Sequence, residues 1–210
     1  GDLRWMSELS KNYGVPVSVN LFQNDGRPTQ YREILQKMRS ANQSGAQVFA
    51  QVSGRTAGLL LCLDGTMHPF MSKPAYREIK HLPKAERIHK MKDPEIRRAI
   101  LQPDERRLSA QQKLYLEGWH KMFRLGDPPN YEPSQSECFE ERAKTEGVTP
   151  EELAYDTLLE FDGNGLIYFP LLNYTNYNFE PSYEMMQSPD IHFGGSDGGA
   201  HCGAICDVSL

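Results

Sequence analysis

A carboxylate and an imidazole stand together in a glycine-rich stretch near the C-terminal end of the sequence. Residues 194–201 are GGSDGGAH, and they follow the short apolar run IHF. A carboxylate such as Asp197, held at a strand end, can coordinate a divalent ion or accept a proton from metal-bound water. Neighbouring glycines allow the backbone to approach a ligand closely. The residues fit equally well a turn in which Asp197 caps the next helix, and both interpretations stay open.

Further polar side chains follow predicted strand ends. Arg55, in QVSGRTAG, is suited either to clamp a substrate carboxylate or to form a structural ion pair. Asn173 and Tyr174 open NYTNYNF, whose amide and phenol groups suit a polar substrate or form a rim of turn residues. His68, in TMHPF, is favoured as a packed histidine over a site residue. We therefore expect substrate binding by Arg55, Asn173, Tyr174 and His201.

Two other chemistries have partial support in the same region. Cys202 and Cys206 stand four residues apart and follow His201, but no second pair completes a zinc knuckle, so a chance arrangement is favoured. Ser196 lies in GGSDG, which formally matches the G-x-S-x-G elbow of serine hydrolases. That mechanism needs a histidine after the acid, and none follows Asp207, so the metal hypothesis ranks higher.

The elements that must position these residues alternate along the chain. Residues 1–63 contain two β-branched apolar runs, VPVSVNLF and AQVFAQV, separated by a helical pattern, which predicts a parallel sheet. Residues 64–164 are predicted to be a mostly helical insertion or lid, because they are too long for an ordinary crossover. Residues 165–210 return to apolar strands and close the domain. The fold class expected is α/β, a partial (β/α)₈ TIM-type barrel with a long helical insertion.

Composition narrows the possible partners. The 210 residues hold 23 Lys and Arg against 28 Asp and Glu, a formal charge of −5, which disfavours nucleic acid. No apolar run approaches the ~20 residues that span a bilayer, and the four cysteines have no disulfide-rich spacing. We expect a cytoplasmic protein with a small-molecule substrate. The sequence leaves its oligomeric state open. It begins on a helix and stops after a strand, so we expect a piece of a larger protein or a truncated reading frame.

Most of the chain resembles one enzyme family. The segments VPVSVNLFQNDGRPTQYREILQKMRSANQSGAQVFAQVSGRTAGLLLCLDGTMHPF, FRLGDPPNYEP and LIYFPLLNYTNYNFEPSYEMMQSPDIHFGGSDGGAHCGAICD are similar, in order, to the N-acyl-D-amino-acid deacylase group of the amidohydrolase superfamily. The resemblance implies a (β/α)₈ barrel that uses a divalent metal, zinc above all, to hydrolyse C–N bonds other than peptide bonds, with N-acyl amino acids as substrates. It assigns to Asp197 the aspartate of the last barrel strand, which binds metal or activates water.

The sequence departs from that family at two places. It has no His-x-His pair, which the superfamily carries on its first barrel strand. Leu21 and Phe22 stand where characterised deacylases have a metal-ligating histidine, and neither can bind a metal. The alternative hypothesis is accordingly a non-catalytic barrel fragment or a small-molecule binding module without metal.

Overall fold

The structure is a computed structural model that describes residues 2–103, 109–195, 203 and 205–207. The chain divides into two compact units. The first comprises Gly1–Gly58, Pro170–Ala200 and Cys206–Leu210, and the second comprises Leu59–Phe169 and His201–Ile205. The segments 1–63, 64–164 and 165–210 of one incomplete domain, expected from the sequence, stay a prediction.

Helices and strands alternate at the start of the chain, and helices dominate its middle. The described helices are α1 (Asp2–Tyr13), α2 (Gln30–Gln43), α3 (Pro74–Ile79), α4 (Lys84–Met91), α5 (Pro94–Leu101), α6 (Ala110–Glu117), α7 (Phe139–Glu146), α8 (Pro150–Gly163) and α9 (Glu180–Met186). The described strands are β1 (Val17–Asn20), β2 (Val48–Val52), β3 (Ala57–Leu61), β4 (Phe123–Arg124), β5 (Ile167–Leu172), β6 (Ile191–Phe193) and β7 (Ile205–Asp207). Short 3₁₀ turns occupy Trp119–Lys121 and Gln135–Glu137.

The first unit contains the parallel sheet that the alternating pattern predicted. Its strand order is β1-β2-β6, and both pairings are parallel. In β2 every second side chain is buried, which is the two-residue period of a strand with one covered face. Helix α2 covers that face with Tyr31 and Met38, and Met185 of α9 completes the same core. The α/β class expected from the sequence is therefore confirmed in this unit.

A second sheet has the strand order β4-β5-β3-β7. Strand β5 is thus separate from β1 and β2, although the sequence placed all three in one sheet. Its residues Ile167, Tyr168 and Phe169 are fully buried, and the antiparallel neighbour β4 pairs Phe123 with Tyr168. The sequence pattern did not indicate that two-residue strand. No closed barrel forms among the described residues, so the partial TIM barrel remains a proposal.

The second unit is built from α3 to α8 around an aromatic core. The rings of Phe70 and Tyr155 meet edge to face, with their centroids 5.2 Å apart, and the Tyr155 hydroxyl donates to the Met91 carbonyl over 2.8 Å. Capping residues mark two of the helix starts. The Asp93 carboxylate accepts from two backbone N–H groups at the start of α5, and Thr149 forms a capping box for α8. No helix in the part of the chain that is described is long and apolar enough to cross a membrane.

Candidate functional site

Of the predicted site residues, Arg55 follows the carboxyl end of β2 in the parallel sheet of the first unit. Strand β6 runs beside β2 with Val52 opposite Phe193, and the Gly194 N–H extends that pairing by donating to the Val52 carbonyl over 3.1 Å. Gly195 has φ +114°, a backbone conformation that favours glycine. The chain therefore leaves β6 next to the end of β2. Asp197, predicted to be catalytic, and His201 lie outside the described residues.

Asn173 connects three loops at this edge. Its side chain is fully buried, and its Oδ1 accepts from the Gln23 N–H over 2.7 Å. Its Nδ2 donates to Ser53 Oγ over 3.2 Å and to the Arg55 carbonyl over 3.4 Å. Its own N–H donates to the Gln23 carbonyl over 3.0 Å. Residues that follow β1, β2 and β5 are thus joined through one amide, which was predicted to bind substrate.

Gln23 is a functional candidate that the sequence interpretation missed. Only 2% of its surface is exposed, and its side-chain Oε1 accepts from the Thr175 N–H over 3.2 Å while Nε2 donates to the Pro28 carbonyl over 3.3 Å. The feature of the sequence that could have indicated this residue is its position three residues beyond the end of β1. Of its neighbours, Leu21 is buried in the core and Phe22 is half-buried.

Ser53 and Arg55 stand on the loop that leaves β2. Ser53 is fully buried, and its hydroxyl donates to the Arg55 carbonyl over 2.7 Å, which closes a tight turn. Arg55 is half-buried, so part of its side chain is accessible to solvent. Its backbone is held by Ser53 and by Asn173. The position of the Arg55 backbone is thus fixed, and a guanidinium can bind a carboxylate through two hydrogen bonds.

Tyr174 belongs to an aromatic cluster. Its side chain is fully buried, and its ring centroid lies 6.1 Å from that of Tyr177 and 5.9 Å from that of Phe179. Asn173 and Tyr177 both have positive φ angles, 61° and 56°. The loop after β5 is therefore held by aromatic packing on one side and by the Asn173 amide on the other.

His68 lies in the second unit, where it packs as the sequence favoured. Only 3% of its surface is exposed, its Nδ1 accepts from the Phe70 N–H over 3.3 Å, and its ring meets Tyr76 edge to face. Burial, together with the positive charge of Arg87, lowers the pKa of His68 to about 3. The imidazole is therefore neutral at ordinary pH and has a structural role.

The described residues do not by themselves form a metal site. Among them, no three His, Cys, Asp or Glu side chains are grouped so that they could hold an ion. Asp197, His201 and Cys202 lie outside that part of the chain, and Cys206 is partly exposed. At the end of β1 the apolar Leu21 occupies the core, so that strand supplies no ligand.

Comparison of the chain with protein-family models, with curated proteins and with solved structures gives no match. The similarity to the deacylase group accordingly remains a hypothesis based on the sequence segments quoted above.

Proposed function

We propose that this chain is part of a hydrolase that cleaves the C–N amide bond of N-acyl amino acids. The supporting observation is the course of β6, which runs parallel to β2 and ends at Phe193, beside the end of β2 that Ser53 and Arg55 follow. Asp197 comes four residues later in the sequence. Active sites of parallel α/β folds collect at the carboxyl ends of strands. Asp197 and Arg55 are therefore assigned to one edge of one sheet.

In this proposal Asp197 takes the proton of the attacking water, whose oxygen adds to the amide carbonyl carbon. The C–N bond then breaks, and Asp197 returns the proton to the amine that leaves. The Arg55 guanidinium binds the substrate carboxylate, and His201 assists there. Asn173 and Tyr174, which the sequence assigned to substrate binding, hold the loops that present these groups.

A divalent metal such as zinc would supply a Lewis acid to this reaction. The described residues do not fit such an ion, because they contain no group of three ligands. At least one of its donors would have to come from outside the described residues. No step of the proposal is therefore assigned to the metal.

A second candidate function is binding without catalysis. Two observations favour it. Leu21, which follows β1, is apolar and buried, and the Asn173 amide is fully used in internal hydrogen bonds. In such a protein Arg55 would bind a carboxylate ligand, and β1 would contribute no reactive group. The two candidates differ in turnover and in metal content.

The test uses the complete encoded protein with the variant Asp197→Asn. We expect the wild type to release free amino acid from an N-acetyl-D-amino acid and to contain a divalent metal by elemental analysis. Removing a general acid–base group should lower turnover ~10²–10⁴-fold. The control is Glu33→Gln, which removes an exposed carboxylate from α2 in the same unit and should leave turnover unchanged.

Two results would decide against this assignment. Near-normal turnover in Asp197→Asn, with circular dichroism equal to that of the wild type, would remove Asp197 from the mechanism. A metal-free wild type that binds N-acetyl amino acids without hydrolysing them would establish the binding module instead.

A further inference from the structure

An open cleft of about 500 Å³ lies within the second unit, away from the parallel sheet edge. One wall is the face of α4 that runs from Lys84 through Ile88 to the following residue Lys92, and the other wall is Asp162 and Asn164 at the end of α8. This volume falls in the range of small-molecule sites, ~300–1,000 Å³. The cleft is therefore large enough for a small ligand.

Charges of both signs line the cleft without neutralising one another. The Lys84 ammonium is occupied, because it donates to Asp64 and, over 2.6 Å, to Asn164 Oδ1. The side chains of His89, Lys92 and Asp162 are exposed, and none makes a hydrogen bond or ion pair with any residue that the structure describes. Two basic groups and one carboxylate are thus available to a ligand.

The backbone that carries Asp162 has an unusual conformation. Phe161 and Asp162 have φ angles of 50° and 55°, so two successive residues other than glycine are left-handed. Gly163 packs against Ile88 so closely that a Cβ would lie 2.4 Å from its Cδ1, and Asn164 Nδ2 donates to the Phe161 carbonyl over 2.8 Å. Conformations of this kind persist where surrounding contacts enforce them, and they cluster at ligand sites.

We propose that this cleft binds a free α-amino acid with an aliphatic side chain. The ligand carboxylate pairs with Lys92 and His89, its ammonium group pairs with Asp162, and its side chain lies on Ile88. A simple carboxylate would be repelled by Asp162, and a simple amine would be repelled by Lys92, so the mixed lining selects a zwitterion. The site uses only residues of the second unit and does not depend on the function proposed for the first.

The test is titration of the complete chain with leucine, by calorimetry and by NMR. The probes 4-methylpentanoate and 3-methylbutylamine each keep one charge and the same branched carbon chain. We expect leucine to bind at least ~10-fold more tightly than either probe, because each charged hydrogen bond contributes about that factor.

Three variants assign the charges. Asp162→Asn keeps the left-handed turn accessible, because asparagine tolerates that conformation, and should weaken leucine binding ~10-fold or more. Lys92→Gln should have a similar effect. The matched control is Lys90→Gln, which removes an exposed ammonium from α4 that does not line the cleft and should change nothing.

The proposal is overturned if leucine at 20 mM produces neither heat nor shifts at cleft residues. It is equally overturned if 4-methylpentanoate binds as tightly as leucine, since the cleft would then be a simple anion site. Equal weakening by Lys90→Gln and Lys92→Gln would also contradict it, because binding would then reflect only the overall charge of α4.

Discussion

Replacing Asn173 tests whether one buried amide holds the loops of the candidate site. Asn173→Ala leaves the buried N–H of Gln23 without its 2.7 Å acceptor, and an unsatisfied buried donor costs about 1–3 kcal/mol. At the observed φ of 61°, alanine also pays about 1 kcal/mol that asparagine largely avoids. We therefore expect Asn173→Ala to lower the free energy of unfolding by about 3 kcal/mol.

A second variant separates the two contributions. Asn173→Gly loses the same hydrogen bonds but adopts the positive φ freely, so it should be about 1 kcal/mol more stable than Asn173→Ala. The control Asn176→Ala changes an exposed amide of the same loop, and its effect should stay within about 0.5 kcal/mol. Urea denaturation of all four proteins, with amide exchange at the Gln23 N–H, measures these differences.

The reasoning fails if Asn173→Ala unfolds within about 0.5 kcal/mol of the wild type. It also fails if the alanine and glycine variants are equally stable, because the backbone conformation would then contribute nothing. Faster amide exchange at Gln23 in both variants is the signature expected of a lost acceptor.

Two further predictions concern the second unit. The pKa of His68 is lowered to about 3, whereas an unfolded histidine titrates at ~6.5, so the unfolded state takes up the proton first as pH falls. The free energy of unfolding should therefore decrease from pH ~6.5 towards pH 3 by up to ~1.4 kcal/mol per pH unit, and the variant His68→Asn should show a smaller pH dependence. Denaturation curves of both proteins at pH 7, 5 and 4 measure this dependence. An equal pH dependence in the two proteins would contradict the prediction. Gly163 has φ 78°, and an added Cβ would lie 2.4 Å from Ile88 Cδ1, so Gly163→Ala should lower the free energy of unfolding by about 2–4 kcal/mol. Gly147 has φ 70° but open space around it, so Gly147→Ala should lower the free energy of unfolding by only about 1 kcal/mol. Equal thermal shifts for the two glycine variants would show that the contact with Ile88 yields readily.

Sequence signals of short range predicted the local elements well. Strands β1 and β2 lie inside the apolar runs that predicted them, and α2 lies between them as expected. Asp93 and Thr149 are of the residue types that favour helix starts, and they cap α5 and α8. Thr29 is of the same kind, but its side chain makes no capping hydrogen bond at the start of α2. Ser134 forms a capping box on a 3₁₀ turn.

The candidate site could be predicted only in part. The pattern of polar residues after strand ends indicated Arg55, Asn173 and Tyr174. These three residues do lie in the loops that follow β2 and β5. The role of Gln23 was not apparent, because its partner Asn173 is 150 residues away in sequence. A glutamine after a strand looks the same in a sequence whether it faces solvent or joins two loops.

The sequence by itself determined where β1, α2 and β2 form, since apolar periodicity acts within a few positions. Only the tertiary structure decided that β5 pairs with β3 and β4 and leaves β1, β2 and β6 in a separate sheet. It also decided that the Asn173 amide is used to join loops and that Asp162 shares a cleft with Lys92. The reason is physical: strand pairing and buried hydrogen bonds depend on which distant segments meet, and local patterns carry no record of that choice.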